Sequence, residues 1–242
     1  MQLTNRNALV TGGAHRIGGA ISRALAEAGV NVFVHYGRSE AAAEELAAEL
    51  RSLGVRSAIG DADLSDPRTA RNLMDVATEA IGPVSILINS ASGFPFDTLE
   101  DLTLDALRAT MALSLESPVM LMQAMADQYE GTDGAIVNIA DVRTLTPYKK
   151  HFSYTIAKGA IDTATRAAAV ALAPNIRVNA VALGVILAPP GEDADYVEGL
   201  ASNLPLGRAG GVEPVTQAVL HLIENDFVTG EIVRLDGGAH LA

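Results

Sequence analysis

A chain of 242 residues, 49% of them hydrophobic, is long enough to bury a substantial core within one α/β domain. Its 29 Asp and Glu against 17 Lys and Arg, a formal net charge of -12 with no long basic cluster, argue against nucleic acid as a partner. With no Cys, no H-E-x-x-H pattern among the 5 His and no apolar run long enough to span a bilayer, the chain is expected to carry no disulfide and no metal, to have no membrane partner and to be cytoplasmic.

In chain order, the first strand is predicted over residues 8–10, followed by the turn Thr11-Gly12-Gly13-Ala14-His15-Arg16-Ile17-Gly18. A helix with apolar positions Ile21, Leu25 and Ala28 comes next, at spacings of three and four that give one face to a sheet. Further strands are predicted over residues 31–35, 55–60, 84–89, 135–139, 176–181 and 231–235, each separated from the next by a helix-length crossover. Strands of this nearly continuous apolar kind suit a parallel sheet covered on both faces. The expected architecture is therefore one α/β domain over residues 1–242, a three-layer Rossmann-type fold with a seven-stranded parallel sheet. Residues 183–211, rich in Gly, Pro and acidic side chains, are the least regular stretch and read either as a binding flap or as a solvated insertion.

The glycine turn after the first strand lets the backbone turn tightly, and the helix that follows offers free N–H groups to a phosphate. Position at the strand-to-helix junction of a first βα unit is what makes Gly12 and Gly18 a dinucleotide signal rather than an ordinary turn. The second strand runs into His35-Tyr36-Gly37-Arg38-Ser39, with no acid where an NAD-specific protein holds the ribose hydroxyls. Arg38 and Ser39 suit a 2′-phosphate, which predicts NADP(H) as cofactor; the alternative is that Arg38 merely begins the next helix and His35 merely ends the strand.

Tyr154-Thr155-Ile156-Ala157-Lys158 places a phenol and an ammonium one helical turn apart on one face. A phenol titrating near pH 10 is a poor proton shuttle at neutrality, and lowering it by about two to three units takes roughly 3–4 kcal/mol. A cation about 4 Å away, at an effective dielectric near 20, supplies about 4 kcal/mol. The expectation is that Lys158 lowers the Tyr154 pKa, opposed by a carboxylate at Asp141 unless that acid is protonated or its charge is satisfied elsewhere.

The glycine turn, Asp63-Leu64 after the third strand, Asn89-Ser90-Ala91-Ser92 after the fourth, Tyr154 with Lys158, Arg177-Val178-Asn179 and the terminal Asp236-Gly237-Gly238 together resemble the short-chain dehydrogenase/reductase superfamily over essentially the full length. That resemblance implies strand order 3-2-1-4-5-6-7, a homotetramer, and cofactor contacts at Gly12, Arg16, Ile17, Gly18, His35, Arg38, Ser39, Asp63, Leu64, Ser90, Ala91, Lys158, Gly184 and Ile186.

Within the superfamily the chain is most similar to pteridine reductases and the related dihydromonapterin (dihydrofolate) reductases. Four features carry this: Arg16 in place of the middle glycine, the His35 to Ser39 segment as a 2′-phosphate clamp, Ser92 with Phe94, and Asp141 thirteen residues before Tyr154, where most of the superfamily has serine. The resemblance implies catalytic Asp141, Tyr154 and Lys158, and pterin contacts at Arg16, Ser92, Phe94 and Tyr154. Phe94 read without the resemblance is a buried loop anchor, and Asp141 a cap for the following loop.

Ser114 stands where the superfamily has an active-site Asn, and Leu183-Gly184 where Pro-Gly is usual. The expected function is NADPH-dependent reduction of a pteridine-like small molecule at a C=N bond, with Tyr154 and Asp141 sharing proton delivery. The alternatives are a carbonyl reductase acting on a substrate such as a 3-oxoacyl thioester, and a catalytically silent NADP-binding regulator.

Overall fold

The computed structural model describes residues 1–189, 191 and 194–241; of the 183–211 stretch, Pro190, Glu192 and Asp193 lie outside the described residues, as does the terminal Ala242. Seven strands, β1 (Asn7–Val10), β2 (Asn31–Tyr36), β3 (Ser57–Asp61), β4 (Ile86–Asn89), β5 (Gly134–Asp141), β6 (Ile176–Leu183) and β7 (Ile232–Leu235), form one sheet in the order β3-β2-β1-β4-β5-β6-β7. Every neighbouring pair is parallel.

The strand residues divide between two cores by alternation. Ala8 and Val10 of β1, Ile86 and Ile88 of β4, and Val137 of β5 point into one cluster, while Leu9, Leu87 and Ile136 between them point into the other. The first cluster is closed by α1 (Arg16–Glu27), α2 (Glu40–Ser52) and α8 (Glu213–Glu224), through side chains such as Ile21, Leu46 and Val219. The second is closed by α3 (Thr69–Ile81), α5 (Ser117–Gln128) and α6 (Phe152–Leu172), through Leu73, Leu121 and Ala169. Each fully buried aliphatic side chain of this kind contributes roughly 1.5–3 kcal/mol, which is why strands that expose no polar edge to either face hold together.

Most strand ends shift by one or two residues from the sequence reading, and two differences bear on the site. Strand β6 continues to Leu183, because Ala182 and Leu183 still pair with Arg234 and Leu235 of β7. The stretch beyond it is not irregular throughout, since α7 (Ala194–Ala201) lies inside it with Val197 and Ala201 buried. A helix of 8 residues preceded by Gly and acidic side chains is too short to declare itself by periodicity. The remaining helix, α4 (Leu104–Met111), runs into a π-helical turn, Ala112–Glu116, before α5 begins.

Chain order reverses between β1 and β4, which are hydrogen-bonded neighbours although β2 leaves β1 on the other side. In an open parallel sheet this reversal leaves a crevice at the carboxyl ends of the strands. The ends of β1, β4, β5 and β6 therefore set where a site can be built.

Candidate active site

At the end of β1, Gly12 adopts a φ of 60° and its N–H donates to His35 Nδ1 at 3.0 Å. A side chain at Gly12 would be strained by that dihedral and would put its Cβ 3.0 Å from the Ala91 Cα. Gly18 is required for a different reason: a Cβ there would lie 2.2 Å from the Gly12 carbonyl oxygen. Helix α1 begins with no side chain capping it at His15, so its first N–H groups remain open to an anion.

His35 does not have the role expected of it. It is 2% exposed, Nδ1 accepts from Gly12, and Nε2 is 3.0 Å from the Ala62 carbonyl, which fixes the proton on Nε2. Burial lowers its pKa and keeps it neutral, so His35 braces the glycine turn from beneath instead of contacting a phosphate.

Arg38 is exposed and, among the described residues, makes no hydrogen bond or ion pair; Ser39 precedes α2 without capping it. Both are therefore open to a ligand at the end of β2. Asp63, by contrast, is occupied with its own turn, accepting from the Ser65 N–H and hydroxyl at 2.9 and 2.6 Å, and those bonds hold its carboxyl below the usual range. Leu64 is a core side chain, 3% exposed. The main-chain N–H groups of Ser90 and Ala91 both donate to Thr11 Oγ1 at 3.0 Å, which fastens the end of β4 to the glycine turn.

The carboxyl end of β5 delivers Asp141, and α6 delivers Tyr154 and Lys158. The Tyr154 phenol donates to Asp141 Oδ2 at 2.8 Å. Asp141 Oδ1 accepts from the Arg143 N–H at 2.8 Å, so the carboxyl caps its loop while its other oxygen faces Tyr154. The Lys158 ammonium donates to the Ile139 carbonyl at 2.6 Å, is 4% exposed and sits 5.6 Å from the Tyr154 ring centroid.

The net shift of Tyr154 runs opposite to the lowering expected from Lys158. Burial raises the phenol's pKa, and the charge and hydrogen bond of Asp141 raise it further. The lysine is bonded to a main-chain oxygen and not to the phenol, so its attraction is spent elsewhere. Asp141 is itself pushed up by burial, against the bonds from Arg143 and Tyr154 and the charge of Lys158. The pair is therefore a proton reservoir that titrates as a unit.

Burial lowers Lys158 from its ordinary 10.5 to about 8. Between those values the native state binds fewer protons than the unfolded chain, so the contribution of Lys158 to stability rises with pH across that window. Asp141 acts oppositely: with its pKa raised, stability falls as pH rises through the folded value. With the Lys158 ammonium as the working form that the sequence predicts, kcat is expected to fall as pH rises through about 8. A pH profile of kcat under saturating substrate checks this, and a flat profile to pH 10 would contradict it.

One wall of the site is aromatic. Phe94 is 48% exposed, so it is not a buried anchor; its ring stacks on His151 with centroids 3.7 Å apart and meets Tyr154 edge-on at 4.9 Å. The sequence reading assigned no role to His151, which has a left-handed backbone (φ 60°) and is held by a bond from Nδ1 to the Pro95 carbonyl at 2.7 Å. Asp97 was missed as well. It is 7% exposed, accepts from the Ser153 N–H at 3.1 Å and from the Ser153 hydroxyl, and thereby ties the Phe94 loop to the start of α6. A carboxylate at a helix N-terminus complements the open N–H groups and the dipole. Asp97→Ala is expected to cost about 0.5–2 kcal/mol, a melting shift of roughly 1–8 °C in a chain of this size, and to raise substrate KM more than it lowers kcat. Calorimetry beside steady-state kinetics would show it; an unchanged KM would mean that Asp97 does not position the loop.

These elements enclose a cavity of about 660 Å³. Arg16, Ile17, Ser90, Ser92, Phe94, Asp141, Tyr154, Lys158, Gly184 and Ile186 all line it. Gly12, Gly18, Ala91, Asp63, Leu64, His35, Arg38 and Ser39 do not. Arg16 crosses the mouth, its guanidinium donating to the Ala188 carbonyl at 2.7 Å. Ser114 is buried in the π-helical turn, with its hydroxyl 3.4 Å from that of Ser92 and no hydrogen bond to Lys158 among the described residues. No group of three or more His, Cys, Asp or Glu able to hold a metal occurs among the described residues, and no described helix is long and apolar enough to cross a membrane.

Comparison with known proteins places this geometry. A family described as enoyl-(acyl carrier protein) reductase matches residues 12–240. FolM alternative dihydrofolate reductase 1 from Brucella canis, solved in complex with NADP, is 38% identical, with a TM-score of 0.95 over 100% of this chain and 96% of that one. L-rhamnose 1-dehydrogenase (NAD(P)(+)) from Sphingomonas sp. (strain SKA58) is 30% identical over 99% of this chain and 98% of its own length. L-xylulose reductase from Bos taurus is 32% identical over 98% of each.

Proposed function

The chain belongs to the short-chain dehydrogenase/reductase family, and from that premise we propose that it is an NADPH-dependent reductase of a dihydropterin or a related pteridine. The observation that carries the substrate class is the hydrogen bond between Tyr154 and Asp141. Reduction of a carbonyl leaves an alkoxide, which takes a proton even from a weak acid. Reduction of a C=N bond is helped by placing a proton on nitrogen as the adjacent carbon accepts hydride, and a carboxyl with a raised pKa behind the phenol suits that task.

The cofactor fits the residues present. The uncapped start of α1 and the close approach that Gly12 and Gly18 permit suit a pyrophosphate, and the unpartnered Arg38 with Ser39 suits a 2′-phosphate. Bound NADPH supplies the hydride. The chain's own residues do the rest: Tyr154 holds a proton at its phenol oxygen, Asp141 refills it, and Lys158 keeps a positive charge beneath both. Phe94 and Tyr154 give a flat heteroaromatic ring an apolar surface, and a cavity of about 660 Å³ is within the usual range for such ligands. In a chain of net charge -12, Lys149, Lys150 and Lys158 all line this cavity, together with Arg16 and Arg143, which favours anionic ligands.

A carbonyl substrate is the second reading, favoured by likeness to relatives named for sugar substrates and by the family's Tyr and Lys pair. NADPH consumption with dihydrobiopterin, dihydromonapterin and dihydrofolate, beside an acetoacetyl thioester and a keto sugar, separates the two. Pteridines ranking first supports the proposal, and a carbonyl compound ranking first overturns it. Tight NADPH binding with no oxidation across the panel would instead support a silent nucleotide-binding regulator.

A further inference from the structure

Each turnover removes a proton from the Tyr154 and Asp141 pair, and that proton must be replaced. The path on the Lys158 side is interrupted: the ammonium is bonded to Ile139, and Ser114 pairs with Ser92. On the other side of Asp141 lies a second, smaller cavity of about 80 Å³, lined by Asp141, Thr144, Asp162, Arg166 and Arg234 among others. That volume admits at least one water molecule, and its walls are polar enough to hold it.

Asp162 lies two turns beyond Tyr154 on α6. Its Oδ2 accepts from the Thr144 hydroxyl at 3.1 Å, and that hydroxyl is also 3.2 Å from the main-chain oxygen of Asp141. Its Oδ1 is buried with no hydrogen-bond partner in the protein. A buried carboxyl oxygen left so is costly unless it carries a proton or meets a water. No step described above uses this residue.

We propose that Asp162 is a positioning residue for the proton supply, passing protons from solvent to Asp141 through water held in the small cavity. Tyr154 gives its phenolic proton to the substrate nitrogen and takes the carboxyl proton of Asp141. The Asp141 carboxylate then takes a proton from cavity water, which takes one from the Asp162 carboxyl, and Asp162 is reprotonated from solvent. One proton enters for each that leaves, and no electrons move. Burial raises the pKa of Asp162, as it does that of Asp141, which favours the proton-holding form of each. Facing Asp162 are the cations Arg166 and Lys158 on its own helix and Arg234 on β7, with Asp141 on β5 opposing them.

The relay rests on the proton donation proposed above for Tyr154 and Asp141, and whichever substrate of the panel is turned over fastest serves in the assay. Asp162→Asn is expected to lower kcat about tenfold or more, within the range for interrupted proton transfer, with KM for NADPH unchanged. The solvent deuterium isotope effect on kcat should rise, formate should restore turnover to Asp162→Ala, and Thr144→Val should share the defect in part. In the cofactor-free protein, a carboxyl 13C titration of Asp141 should shift on Asp162→Asn, because the two groups are coupled; this reading needs no turnover and guards against a folding defect. Wild-type kcat and isotope effect in Asp162→Asn, or an unmoved Asp141 titration, would overturn the proposal without touching the assignment of substrate.

Discussion

Tyr154→Phe is expected to lower kcat by about 10²–10⁴-fold while NADPH affinity and melting temperature stay near wild type. The substitution removes one oxygen, whose hydrogen bond among the described residues is the one to Asp141 at 2.8 Å. The ring remains to pack edge-on against Phe94. Because the Tyr154 bond opposes the upward shift of Asp141, its loss raises the carboxyl's pKa further and leaves an acid at the site. A pterin nitrogen can draw on that acid, whereas a carbonyl oxygen has lost its donor. The defect should therefore sit near the lower end of the range for pteridines and near the upper end for carbonyl compounds. Steady-state NADPH oxidation and a fluorescence titration of NADPH binding measure the two halves of this expectation, and a loss of cofactor affinity as large as the loss of kcat would refute it.

Lys158→Met is expected to reduce kcat/KM by roughly 10²–10³-fold and to abolish the fall in kcat near pH 8. Methionine approximates the lysine stem, so the core around Ala157 and Ile161 is kept. What disappears is a cation that lowers both Asp141 and Asp162, so both carboxyls should titrate higher in the variant. Stability should change little: replacing a buried charge by an apolar group is often neutral or favourable, set against about 1–3 kcal/mol for leaving the Ile139 carbonyl without its donor. Thermal unfolding across pH 7–10 and the kcat profile read these effects. Retention of the alkaline fall would assign it to another group.

The sheet was legible because its signal is local. Runs such as Leu9 and Val10, or Ile86 to Ile88, are apolar on both alternating faces, and only a strand covered on two sides reads that way. Tyr154 and Lys158 were legible for a similar reason, since a spacing of four on a helix guarantees a shared face. The glycine turn needed only neighbours in sequence, whereas the pairing of Asp141 with Tyr154 was expected from the family resemblance and is met by the bond between them. Contacts between distant segments were not legible. His151 against Phe94, and Asp97 under Ser153, join a loop after β4 to the start of α6, and no periodicity within either segment forecasts the meeting. For the Tyr154 shift, the opposition of Asp141 to Lys158 was legible, but the net direction depends also on burial and on which atom Lys158 bonds, and neither is a property of spacing. His35 carried a donor-rich side chain at the right place in the chain, but Gly12 and Ala62 had already claimed both nitrogens.

In the proposed pteridine reduction, Asp141 is the group that would set this centre apart from a general carbonyl-reducing one, through its bond to Tyr154 and its raised pKa. Asp141→Ser keeps a small acceptor and donor beside the phenol and removes the acid. The most direct measurement is kcat/KM of this variant for a dihydropterin and for a carbonyl substrate, side by side with wild type. A fall of about 10²-fold or more on the pterin, with carbonyl turnover held or increased, is the predicted result. Undiminished pterin turnover in Asp141→Ser would contradict it.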